Sequence, residues 1–201
     1  MSRGDTIHQF WFGALDSRGR APDERAELWF RTDPEFDRRI RGHFESDLRT
    51  AAAGRRIRWE REPRSALALV LLFDQFPRFM YRGTPRAFMF DHRARRSMYQ
   101  AVGLGLEKQL WPIEQAFLFM PLQHAEDAAL QDESVERYRA LVEQADPDQR
   151  DPLRTFLRDA EDHREVIRTF GRFPHRNAAL ERETTAAEQA FLERGGSPRG
   201  Q

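Results

Sequence analysis

The 201-residue chain contains no cysteine, which excludes disulfides, thiolate catalysis and any cysteine-ligated zinc or iron–sulfur centre. That composition suits a cytoplasmic setting, as does an opening Met-Ser-Arg-Gly-Asp-Thr that leads into no apolar signal segment. Long hydrophobic runs are missing too: the longest, residues 66–73, is far too short to cross a bilayer, so no membrane partner is expected. Net charge is absent, with 33 Lys+Arg against 33 Asp+Glu. No overall field therefore steers the chain toward nucleic acid, which is not an expected partner, although a local basic patch is compatible with that sum. Lys108 is the only lysine, so nearly every cation is an arginine, the side chain that pairs bidentately with carboxylates and phosphates. A GC-rich genome produces the same bias.

What is present points to helices. A content of 39% hydrophobic and 11% aromatic residues, with 16 Phe and 4 Trp, supplies a core for one domain over residues 1–194, followed by a disordered tail over 195–201. Strand signals are nearly absent, and small polar residues, Pro at the first turn and Gly or Pro stops recur. Asp33-Pro34 followed by Phe36, Ile40, Phe44 and Leu48 predicts an amphipathic helix ending at Gly54. Pro63 opens a helix that is apolar nearly all round and stops before Pro77; Thr84-Pro85 opens another, running to Gly103. Trp111-Pro112 starts a third, which Pro121 should kink or break. Helices over 132–144 and from Asp151-Pro152 to Phe170, stopped by Gly171, follow, and Thr185 with Glu188 has the form of a capping box. Two short aromatic helices around residues 7–12 and 28–30 precede them. Some eight or nine helices with short connectors form an all-α fold, an antiparallel array or a helix-pair solenoid.

Polar groups on apolar faces carry the functional expectation. Asp74 extends the buried stripe of Leu67, Val70 and Leu71; His124 extends that of Phe117 and Met120, with Asp127 three residues on; His163 sits between Ala160 and Ile167. Burying such groups costs several kcal/mol per ion unless they are paired, so partners should be near. Arg78, Arg172 and Arg176 supply cations, with His175 and Asn177 beside them, and FDQFPR at 73–78 echoes FGRFPH at 170–175 as a helix exit. Asp74, Arg78, His124, Asp127, His163, Arg172, His175 and Asn177 are expected to converge on one polar pocket. Three readings stay open: a polar network that only fixes helix register, a pocket for a small anionic ligand or a peptide, and an acid–base site of a hydrolase or lyase, with or without metal assistance, using His124 or His163 with Asp74 or Asp127. The arginines could equally neutralise Asp74, Asp127 and Glu126. His8, His43 and His92 lack such company and read as surface or helix-packing residues. No metal site is expected: Asp74, His124, Asp127 and His163 offer donors, but no His-Glu-x-x-His or Glu-x-x-His spacing occurs. Gly-x-Ser-x-Gly is absent, and Gly103-Leu104-Gly105 lacks the third glycine of a dinucleotide loop, so no cofactor can be named.

With these residues in view the chain resembles the mainly bacterial family known as domain of unknown function nine-two-four. The motifs that carry the resemblance are FWFG at 10–13, WF at 29–30, LFDQFPR at 72–78, RGT at 82–84, PLQHAED at 121–127, His163, FGRFPHRN at 170–177 and TT at 184–185. Methionine is expected more often than Gln123 at its position. The resemblance implies a fold like the tetratricopeptide-repeat superfamily, a right-handed array of antiparallel helix pairs. It implies no activity and assigns no catalytic role.

Overall fold

The computed structural model describes residues 2–196, and among them every regular element is helical, with no strand. Of the tail expected over 195–201, residues 197–201 lie outside the described residues. Helix α1 (Arg3–Phe12) starts four residues before the hydrophobic signal, because Ser2 and Asp5 cap it reciprocally. α2 (Asp23–Trp29) follows, then α3 (Pro34–Ala52), where Asp33 accepts hydrogen bonds from the backbone N–H groups of Glu35 and Phe36 and buries the predicted stripe Phe36, Ile40, Phe44 and Leu48. A 3-10 turn (Ile57–Arg61) leads into α4 (Pro63–Phe73), buried at every position from Ser65 to Phe73.

The expected stop before Pro77 is not where the chain breaks. It breaks at Asp74 and resumes as α5 (Gln75–Met80), with Pro77 in the first turn. A proline ring clashes with the carbonyl four residues earlier, here that of Phe73, so the break falls beside it; Pro77 itself needs no N–H partner in a first turn. The single helix expected over 84–103 is likewise divided into a 3-10 turn (Pro85–Ala87) and α6 (Asp91–Gly103), with Phe88 in the gap. α7 (Pro112–Gln123) runs through Pro121 and ends two residues later. Its last carbonyls are taken up by Gln131, whose Nε2 donates to Gln123 O at 2.7 Å and Ala125 O at 2.8 Å. α8 (Ala128–Gln144) begins four residues earlier than the hydrophobic pattern suggested, because Asp127 caps it. α9 (Arg150–Phe170) stops at Gly171, whose φ of 70° is the left-handed exit predicted for a glycine. A last 3-10 turn (Pro174–Arg176) and α10 (Ala186–Glu193), with the predicted Thr185–Glu188 capping box, complete the described chain.

α4 is the hub, packed against α1, α3, α5, α6 and α7, while α7, α8 and α9 pack in sequence. The connector over 145–149 folds α8 and α9 into an antiparallel hairpin. A contiguous apolar core runs from Ile7 to Ala160, and a smaller one joins Val166, Ile167 and Phe173 to Phe170 and Phe191. No helix among the described residues is long and apolar enough to cross a membrane.

Candidate functional site

The break between α4 and α5 leaves Asp74 fully buried, facing the end of α7. Its Oδ1 accepts from His124 Nδ1 at 2.7 Å and lies 3.4 Å from Arg78 Nη1, and its Oδ2 accepts from Gln75 Nε2 at 2.6 Å. Arg78, one turn on, donates to the Asp74 carbonyl at 2.7 Å and forks onto Asp91, the first residue of α6, at 2.9 and 3.0 Å. Arg176 arrives from the turn after α9. Its Nη1 donates to the His124 carbonyl at 3.1 Å and stands 3.7 Å from Asp91 Oδ2. Phe88, half-buried in the gap before α6, lies over both guanidinium groups, 4.6 Å from Arg176 and 5.6 Å from Arg78. The helix-exit echo therefore does bring two basic groups into similar surroundings, but they are Arg78 and Arg176 rather than Arg78 and His175.

His163 lies beside this group, its ring 6.1 Å from that of His124 and 5.5 Å from Phe173, edge to face. Its Nδ1 is 2.6 Å from the Asp159 carbonyl and 3.2 Å from Gln123 Nε2. A carbonyl only accepts, so Nδ1 carries the proton and donates to Asp159; the Gln123 amide then turns its oxygen toward that hydrogen.

The electrostatics follow from burial and pairing. Burial works to raise the Asp74 carboxyl, but His124, Arg78 and the hydrogen bonds from His124 and Gln75 together hold it well below the usual carboxylate range. His124 moves down from its ordinary value, first through burial and then through the charge of Arg78, which together outweigh the attraction of Asp74. His163 is pushed far down by burial, reinforced by its neighbour His124. Burial and the adjacent Arg78 pull Arg176 down to about 9, against Asp91 and Glu126. At neutral pH His124 is thus an uncharged imidazole donating through Nδ1, and its Nε2 has no hydrogen-bond partner among the described residues.

The remaining expected residues do not join this group. Asp127 is exposed and serves as the cap of α8, a backbone duty that turns its carboxylate away from His124. Glu126, Arg172 and Asn177 form a second cluster that clasps the C-terminal segment. Glu126 accepts from the Phe173 N–H and from both Arg182 Nη atoms; Asn177 Oδ1 accepts from Arg182 Nε; and Arg172 forks onto Glu188 of α10 at 2.6 and 2.8 Å. His175 is half-buried with its ring 5.5 Å from Phe173. The single pocket expected of eight residues is therefore two linked clusters, an inner one of Asp74, Arg78, His124 and Arg176 with His163 alongside, and an outer clasp.

Sequence reasoning missed Asp91, Gln75 and Arg182. Asp91 heads a helix, where an acid is ordinary, so nothing in the pattern set it apart. His8 is a helix-packing residue, as expected, but it has ionisable company: it is buried and paired with Glu114 across α1 and α7, and Glu114 also accepts from the Trp111 N–H. Among the described residues no three His, Asp or Glu side chains are grouped to hold a metal ion. A cavity of about 160 Å³ lies elsewhere, between Trp29, Ile113 and Leu153, and is lined by none of the inner-cluster residues.

The family described as "Bacterial protein of unknown function (DUF924)" matches residues 7–196. This chain belongs to that family. It is also similar to a solved structure described as "Structure of Protein of Unknown Function ATU0120 from Agrobacterium tumefaciens", at 32% identity and a TM-score of 0.81, over 96% of this chain and 97% of that one. No curated protein matches. Membership in this family brings a fold and no activity, so any function rests on the geometry of the inner cluster.

Proposed function

We propose that the chain binds a small anionic molecule, bearing a carboxylate or phosphate, at His124 Nε2 between Arg78 and Arg176. The observation that carries this reading is the Asp74–His124 hydrogen bond of 2.7 Å, which fixes the imidazole so that its other nitrogen faces away from Asp74 without a partner among the described residues. The charges of Asp74, Asp91, Arg78 and Arg176 already balance, so an added anion is neutralised by a proton taken up on His124. Phe88, half-buried over both guanidinium groups, is the side chain that moves aside on entry. The surrounding scaffold is a single domain over residues 1–194 with its helix pairs in a right-handed, tetratricopeptide-like stack; the consecutive packing of α7, α8 and α9 supports that arrangement.

Thermal melting with inorganic phosphate, succinate and citrate at about pH 6 and about pH 8 tests the proposal. A ligand at about 100 times its Kd stabilises by about 2.7 kcal/mol, and the gain is expected to be larger at the lower pH because His124 takes up a proton. A gain that is equal at both pH values, or one that survives His124→Gln, refutes it.

A second reading rests on the same contact. A neutral imidazole held in one tautomer by a carboxylate is the state a general base requires, as in a hydrolase or lyase. Under that reading Asp74→Asn lowers turnover and shifts the lower limb of the pH–rate profile. Absence of turnover in a broad screen of esters, amides and elimination substrates counts against it.

A further inference from the structure

A net charge of zero conceals an uneven surface. About half of the arginines pair with a carboxylate among the described residues, including Arg3 and Arg56, which share the buried Asp47. Around them the pairing stops. Arg49 at the end of α3, Arg55, Arg58 and Arg61 on the connector to α4, and Arg93 and Arg96 on α6 form no ion pair among the described residues, and all but the half-buried Arg93 are exposed. These segments lie together. The 3-10 turn packs against both α4 and α6, and Arg93 donates to the Ala52 carbonyl at the end of α3. On the connector itself Arg55, Arg56, Arg58 and Arg61 stand against Glu60 and Glu62, a twofold excess of cations.

We propose that this face binds single-stranded nucleic acid through its phosphate backbone. Guanidinium groups suit phosphates because their paired donors match two phosphate oxygens. Within the face the Arg56 guanidinium lies 4.7 Å over the half-buried Trp59 ring, and a guanidinium plane held flat in this way is itself a surface on which bases stack. A lipid surface fits less well, since Ile57, 59% exposed, is the one large aliphatic side chain the connector offers for insertion. The site is independent of the Asp74–His124 cluster, which lies in the interior.

Fluorescence anisotropy of labelled mixed-sequence 20-nucleotide RNA and DNA strands with the full chain tests this, alongside sedimentation with phosphatidylserine-containing vesicles. With about six phosphate contacts on a single strand, the affinity is expected to fall roughly 300-fold between about 50 and about 200 mM NaCl. The variant Arg55→Gln/Arg58→Gln/Arg61→Gln removes three exposed cations and should reduce that fall to roughly 20-fold with an unchanged melting temperature. Arg58→Gln alone gives the same readout on a smaller scale. Arg154→Gln/Arg158→Gln/Arg168→Gln on α9 is expected to change nothing. No saturable binding of either strand at the lower salt, a salt dependence indifferent to the connector arginines, or sedimentation with vesicles without strand binding overturns the assignment.

Discussion

Acidification from about pH 7.5 to about pH 5.5 is expected to weaken the fold through His163, by an amount its surroundings set. The ring is fully buried against Phe173, donates its Nδ1 proton to the Asp159 carbonyl, and faces a second imidazole and a guanidinium, so it stays neutral in the fold. In the unfolded chain the same group titrates near 6.5, going from about one-tenth to about nine-tenths protonated over this interval. Because the folded ring holds its proton less tightly than the unfolded one, its contribution is complete above about pH 6.5 and declines as pH falls toward the folded value. Linkage converts the difference into roughly 1 kcal/mol over the interval. His124 acts in the same direction but by less, since Asp74 favours its cation, so the loss expected from the two together is roughly 1–3 kcal/mol. Urea unfolding followed by tryptophan fluorescence at both pH values, in the wild type and in His163→Gln, isolates the term, because the variant's own cost cancels when each protein is compared with itself. A drop of the same size in the variant, or an NMR titration placing His163 at or above its ordinary value, would refute the reasoning.

Three further outcomes follow from the same geometry. Asp74→Asn keeps the volume but removes the charge facing Arg78 and sets an amide nitrogen against that of Gln75, now 2.6 Å from Oδ2; a loss of about 2–4 kcal/mol is expected by calorimetry, and one under about 0.5 kcal/mol would contradict the buried pairing. Gln131→Ala strips the carbonyls at the end of α7 of their donor, with an expected cost of about 1–3 kcal/mol in urea unfolding. Arg172→Ala cuts a part-exposed pair, so it should leave global stability nearly unchanged while amide exchange in α10 quickens and that in α4 does not; uniform exchange would show that α10 is not held separately.

Helical periodicity was enough to read the scaffold, because several helices carry a signal of their own in cap, stripe or stop: Asp33 with Phe36 to Leu48, Thr185 with Glu188, and Gly171 as a stop. It was also enough to place Asp74, His124 and His163 inside, since a residue three or four positions beyond a buried one shares its face. It failed where one residue had two possible duties. Asp127 follows the inward spacing yet caps α8. Pro77 reads as a terminator, but a proline displaces its clash one turn upstream, which is why the break exposes the backbone of Asp74 to Arg78. The partnership of Arg78 with Asp91 depends on how α6 lies across α5, which no local pattern encodes.

The way Arg176 reaches the centre has a consequence for how the protein is made. A ribosome delivers Asp74, Arg78, Asp91 and His124 well before residues 171–177, an interval of several seconds at about 5–20 residues per second. Through that interval the His124 carbonyl has no guanidinium to accept from, and His163, once made, waits for its Phe173 ring. The turn after α9 is therefore a keystone set late in synthesis, and a nascent chain stalled upstream of it presents an unclosed charge centre to chaperones and proteases.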